Sequence, residues 1–254
     1  MKLVRDTWLI FARQMLLVVR TPIRLVIGFA QPVAYLILFA PLLKSALAPL
    51  GATTYADAYR IYVPGLLVIL LMLGSFFAGF SLLAELREGV IERSRVTPVS
   101  RFALLFGRAL SEVVTLLGQA VIITIVALPL GLRVSIGPLL LAYLLLGLIG
   151  MLAASLSYGV ALKIQNPAAL GPLVNVVSQP LSLLSGVLLP LALAPAWLLT
   201  VAKINPFYWA TNGVRGLFDG DVGANAVWQG MSLMLVLSAL AVWWATNQFA
   251  REVR

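Results

Sequence analysis

The chain has no cysteine and no histidine, and only 11% of its 254 residues are charged. Without cysteine there is no disulfide framework and no thiol nucleophile. Without either residue there is no Cys/His zinc site and no imidazole general base. The four lysines are Lys2, Lys44, Lys163 and Lys203, and none follows a glycine. A P-loop needs G-x-x-x-x-G-K-[ST], so this chain does not hold ATP in that way. No catalytic residue and no metal site is assigned. The scarcity of charge has a second consequence. A soluble domain is typically about 25% charged, whereas this chain is 61% apolar with a mean hydropathy of +1.02. Most of its surface must face lipid. The net charge of +9 is then read as flanks facing anionic lipid, not as a nucleic-acid footprint.

A hydrocarbon core takes about 20 apolar residues of helix. Six runs reach that length: 25–43, 61–84, 109–132, 138–162, 168–193 and 226–249. The fold expected is an all-α membrane protein, one domain over 1–254, with six transmembrane helices. Glu112 is the only charge in any run. That argues against an ion- or proton-coupled carrier. Its expected partner is Arg108, one turn earlier. With both termini placed on one side, thirteen of the 18 Lys and Arg fall on that side. The positive-inside rule makes it the cytoplasm of a multi-pass plasma (inner) membrane protein. Charges throughout 2–24 and a long first run speak against a cleavable leader.

Three segments are not spans. In 1–24, Lys2, Arg5, Asp6, Arg13 and Arg20 lie on one side of a helix, and Val4, Trp8, Phe11, Met15 and Val18 on the other. This predicts an interfacial amphipathic helix, either a surface anchor alone or one that also contacts a partner. Thr21-Pro22 ends it. In 85–108, Glu85, Glu88 and Glu92 share a helix face among Arg87, Arg93, Arg95, Arg101 and Arg108. The arginines neutralise the acids. The segment reads as a solvated charge cluster or a protein-docking surface, not an acid–base site. Thr97-Pro98 ends its first helical piece and Ser100 caps the next. In 194–225, Trp197 to Ile204 is apolar but too short to span. Asn205-Pro206 turns the chain, and Phe207, Tyr208 and Trp209 are interface aromatics. Two short re-entrant helices that cap something are expected there.

The fifth run carries Asn175, Ser178, Gln179, Ser182 and Ser185 at three- and four-residue steps. In lipid such a stripe faces protein or water, so it packs against another span or lines a conduit. Ser75/Gly79 and Gly150/Ala154 are small-xxx-small pairs that mark close helix packing.

Several stretches together carry a resemblance: the amphipathic entry helix and Gly65; Glu85-Leu-Arg-Glu-Gly89, Glu92-Arg93, Thr97-Pro98 and Arg101; Leu184-Ser185-Gly186-Val187-Leu188-Leu189-Pro190; Pro195-Ala196-Trp197-Leu198; Asn205-Pro206-Phe207; Arg215 and Gly220. Over essentially its whole length the chain resembles the membrane subunit of ABC-2 type exporters, the family of the daunorubicin-resistance permeases. The resemblance implies a permease that is no enzyme by itself and holds no cofactor. It would pair with a second copy or a paralogue and dock two cytoplasmic P-loop ATPase subunits that carry the ATP and Mg. The docking residues it implies are Glu85, Glu88, Gly89, Glu92, Arg93, Thr97, Pro98 and Arg101. In similar folds the second and fifth spans face the central cavity, under an outer lid that here would include Pro190, Trp197, Asn205 and Pro206. Substrate residues do not carry over by motif, and Ser75, Asn175, Gln179 and Ser182 are the substrate-path candidates that the polar positions of those two runs offer. The cargo implied is a small amphipathic drug, lipid or glycan moved outward through the bilayer. A motor-independent channel or carrier, or a membrane scaffold without transport, are the alternatives.

Overall fold

The structure is a computed structural model that describes residues 2–21, 23, 28, 30–38, 54–87, 100–187, 191 and 194–252. The described residues are helical and contain no strand. The helices are α1 (Lys2–Arg20), α2 (Tyr55–Phe76), α3 (Ala78–Arg87), α4 (Arg101–Ala127) and α5 (Ile136–Ile164), then α6 (Pro167–Leu184), α7 (Ala196–Ala202), α8 (Pro206–Phe218) and α9 (Asn225–Glu252). A further helical stretch covers 30–38.

Each start has a local cause. Thr54 and Asp57 form a capping box at α2, with the Thr54 N–H donating to the Asp57 carboxylate at 2.9 Å. The Ser100 hydroxyl accepts from Ala103 N–H at α4. Asn166 and Asn205 cap α6 and α8, each followed by proline at the first helical position, where its missing N–H costs nothing.

Four helices are long and apolar enough to cross a membrane among the described residues: Tyr55–Arg87 (α2 with α3), α4, α5 and α9. Run 25–43 is described only over 28 and 30–38. Helix α6 stops after 18 residues at Leu184, well short of the 193 expected.

Helix α5 is the hub. It is apolar on every side, as suits a helix that packs on protein over part of its surface and exposes Leu140 and Leu144 on the rest. Helices α2, α4, α8 and α9 pack around it, and α3 and α6 also touch it. The main core gathers Leu67, Leu71, Ile123, Leu145, Ile149 and Phe207. A smaller core of Leu82, Leu105, Tyr158 and Phe249 lies nearer the 85–108 segment. The small-residue pairs sit at close contacts. Gly150 of α5 faces Ser75 of α2, and Gly79 of α3 faces Ser157 of α5.

The second apolar run is not one straight helix. It breaks at Phe77, and the break leaves the Phe76 carbonyl and the Gly79 N–H without helical partners. Ser157 of α5 serves both: its hydroxyl donates to Phe76 O and accepts from Gly79 N at 2.9 Å. Ser157 is 3% exposed, so water cannot take over. Ser157→Ala is expected to lower stability by about 2 kcal/mol, the cost of orphaning buried backbone groups. Thermal unfolding of the purified chain in detergent checks this, and an unchanged midpoint would show that the break needs no bridge.

Helix α1 is more than a surface float. Ile10 and the Thr7 carbonyl sit against Gly107, and Met15 lies beside Thr115. The two helices therefore run alongside each other in the same sense for about two turns. Phe11, Met15 and Val18 are half-buried as the amphipathic pattern expects, while Val4 and Trp8 stay exposed.

Candidate functional site

Glu85 stands near the end of α3, just before residues 88–99, which lie outside the described residues. Arg108 stands on α4, two turns after the chain returns. The Arg108 guanidinium donates to Glu85, and Gln14 of α1 donates to the other carboxylate oxygen at 3.1 Å. The sequence expectation paired Arg108 with Glu112. The structure sets Glu85 against it instead, from the neighbouring helix. The pair is largely withdrawn from solvent, with side chains 9% and 19% exposed. Three helices thus meet at one ion pair, and the end of α3 is held against α4. Arg101 begins α4 and is exposed. Glu88, Gly89, Glu92, Arg93, Thr97 and Pro98 lie outside the described residues, as does Pro190.

The polar stripe of α6 divides into two. Asn175 and Gln179 are exposed, beside exposed Val176 and Leu183. Ser178, Ser182 and Ser185 are buried. At 100° per residue the two sets lie about 70° apart around the helix. Ser182 donates to Gln179 O at 2.8 Å, and Asn175 donates to Gly171 O at 3.2 Å. Ser75 of α2 is fully buried at the α5 contact, and its hydroxyl has no hydrogen-bond partner among the described residues.

The segment 194–225 folds as the two short helices α7 and α8, and it is fastened to the end of α6. Asn205 donates to Leu181 O at 2.7 Å, adding to the bond that carbonyl accepts from Ser185 N–H, and Arg215 donates to Gly186 O at 2.6 Å. Gly186 has φ +71°, a backbone that suits glycine at a helix end. Burial pushes the Arg215 guanidinium down to about 10, with Asp219 opposing the shift, so it stays cationic at neutral pH. Trp197 is 67% exposed and Pro206 occupies the first position of α8. Asp219 also meets Arg60 at the start of α2, at 2.8 Å. That exposed pair contributes little.

The sequence marks Arg215 without a role and gives little sign of Gln14: a lone cation among aromatics, and a lone amide on an amphipathic helix, are the only signals.

The chain matches the ABC-2 type transporter family over residues 5–218. The chain belongs to the ABC-2 type transporter family. Among similar proteins, a putative transport permease, ycf38, of Cyanophora paradoxa is 27% identical over 85% of this chain and 75% of its own length. The ycf38 protein of Porphyra purpurea is 25% identical over 97% of this chain and 89% of its own. The daunorubicin resistance ABC transporter permease protein DrrB1 of Streptomyces coeruleorubidus is 24% identical over 86% and 75%. The family membership and the apolar helices make this an integral membrane protein and a transport permease subunit. In such an ABC-2 permease the fastened α7–α8 segment and the Glu85 node mark opposite ends of the α2–α3 unit. Arg60 at its start meets Asp219, and Glu85 at its end meets Arg108.

Proposed function

We propose that the chain is the transmembrane half of an ATP-driven exporter, with six spans and both termini in the cytoplasm of the plasma membrane. Two separate P-loop ATPase subunits, carrying ATP and Mg, dock at the segment 85–108. A second permease copy or a paralogue completes the path. The cargo is a small amphipathic drug, lipid or glycan.

The observation that supports this best is the node at Glu85. A loop that is pushed by a motor must move its two supporting helices together, or the push is lost locally. Here Glu85 and Arg108 join those two helices, and Gln14 adds α1. Rigid-body motion of packed helices is a common form of such coupling. The exposed Asn175–Gln179 edge of α6 supports a face toward the path or the second permease, since an exposed amide pair is costly against lipid. The fastened α7–α8 segment fits a lid with Trp197, Asn205 and Pro206.

The test uses the permease with its ATPase. The chain alone should show no ATP hydrolysis. Glu92→Arg should leave insertion and expression normal, because exposed surface changes stay within about 0.5 kcal/mol. It should weaken ATPase co-purification about tenfold by setting like charges together at the interface. A compensating charge reversal on the ATPase should restore it. Normal co-purification and export by the single variant would rule out this segment as the dock.

A further inference from the structure

Arg215 is a buried cation that neither the docking segment nor the polar stripe of α6 uses. It stands on α8, and one of its terminal nitrogens donates to Gly186 O at 2.6 Å. Its Nε–H is buried and meets no acceptor among the described residues. Leaving a buried donor unmade costs more than a typical hydrogen bond gains. The acid next along the chain is Asp219, which ends α8 one turn later. Side chains four residues apart on a helix are neighbours, and the Asp219 charge acts on Arg215. The carboxylate nevertheless makes its bond elsewhere.

Arg60, at the start of α2, holds it. The Arg60 Nε stands 2.8 Å from Asp219 Oδ1, and a terminal nitrogen of Arg60 donates to the Asp219 carbonyl at 2.9 Å. One guanidinium thus engages both the side chain and the backbone of Asp219 and keeps the carboxylate on the α2 side. Both bonds are lost together when the start of α2 draws away from α8. The Arg60 and Asp219 side chains are 48% and 57% exposed. Water can therefore take over for a released Arg60, and the Asp219 side chain has room to turn. An exposed pair is screened and contributes little, so this tie to α2 breaks easily. A carboxylate set against the more buried Arg215 guanidinium is screened less.

We propose that Asp219 is an exchangeable latch between α2 and α8. With α2 in place it holds Arg60. When the start of α2 moves off, the carboxylate turns to the unmet Nε–H of Arg215 on its own helix. The α7–α8 segment then loses its tie to α2 and keeps its tie to the Gly186 carbonyl through a fully bonded Arg215. The segment follows the end of α6 in both arrangements, and only α2 is let go. One ion pair replaces another, and no proton or covalent bond is transferred. The latch goes beyond the export reading, because it concerns which neighbour the segment follows and involves neither motor nor cargo.

The full chain in detergent micelles tests this, with Arg60→Gln standing in for the withdrawal of α2. If Asp219 serves Arg60 alone, Asp219→Asn should matter less once Arg60 is gone, as in any simple pair. The latch reverses that order. In the parent chain Asp219→Asn should lower the ratio of folded to unfolded molecules about twofold. In the Arg60→Gln background it should lower the ratio about tenfold, because it then removes the partner of a buried guanidinium. Asp221→Asn removes an exposed carboxylate two residues on and should stay within about twofold in both. All three positions are exposed, so the variants fold. Hydrogen exchange of the Arg215 Nε–H, assigned by its loss in Arg215→Lys, gives a second readout. It should slow about tenfold in Arg60→Gln and return to the parent rate when Asp219→Asn is added. A cost of Asp219→Asn in the Arg60→Gln background no larger than in the parent would overturn the proposal. So would an equal cost from Asp221→Asn, or an Arg215 Nε–H that exchanges alike in all variants. Export is not measured, so the export reading stands or falls on its own test.

Discussion

Arg108→Ala is expected to lower the stability of the chain by about 3 kcal/mol, more than a hundredfold in the ratio of folded to unfolded molecules. The substitution strands the Glu85 carboxylate at a place where its side chain is only 19% exposed. Breaking a buried pair from one side costs about 3–5 kcal/mol. The lower figure applies because Gln14 still donates to Glu85 at 3.1 Å. The reversed pair, Glu85→Arg with Arg108→Glu, should recover at least half of the loss, since it restores the attraction at the same place. Gln14→Ala should cost much less, because the ion pair survives it. Chemical unfolding in micelles separates these cases. If Arg108→Ala stays within about 0.5 kcal/mol of the parent chain, the contact is no stronger than a surface pair, and α3 and α4 are not held together at this point. A structural loss without rescue by the reversed pair would instead assign the effect to lost packing of the Arg108 stem.

The signals that could be read ahead were the local ones. Ser100, Asn166-Pro167 and Asn205-Pro206 start helices because a side chain two or three residues away from its target needs no other part of the fold. Thr21-Pro22 likewise closes α1 at Arg20. The apolar runs were visible because lipid imposes length on a helix directly. What stayed hidden depends on contacts from far along the chain. No proline or glycine stands at Phe77, and the break there is held by Ser157, 81 residues away from Phe76. The Arg108 partner was sought one turn along its own helix and comes from α3, 23 residues away. The α6 stripe looked like one line because three- and four-residue steps were taken as equivalent. The rotation between them separates exposed Asn175 and Gln179 from buried Ser178 and Ser182.

The packing of α2 against the turn that follows α6 gives the second large effect. Gly65 of α2 faces the carbonyl of Val187, and a Cβ added to Gly65 would overlap that oxygen. The obstacle is backbone, so no change of rotamer relieves it. Gly65→Ala is expected to cost about 3 kcal/mol, the top of the usual range for overpacking, and Gly65→Leu should not fold. Gly118 of α4 provides the contrast, because an added Cβ there meets nothing within 4 Å among the described residues. Gly118→Ala should stay within about 0.5 kcal/mol. The same junction carries the fastening of α8: Val187 follows Gly186, whose carbonyl accepts from Arg215 at 2.6 Å. Pushing Val187 away from α2 therefore also disturbs the Arg215 contact. Gly65→Ala combined with Arg215→Met should cost less than the two single changes added together, by about 1 kcal/mol, as expected for groups that share a partner segment. Strict additivity would mean that the α2–α6 contact and the α8 fastening are independent. A Gly65→Ala variant as stable as Gly118→Ala would mean that the close approach at Val187 is not required for folding.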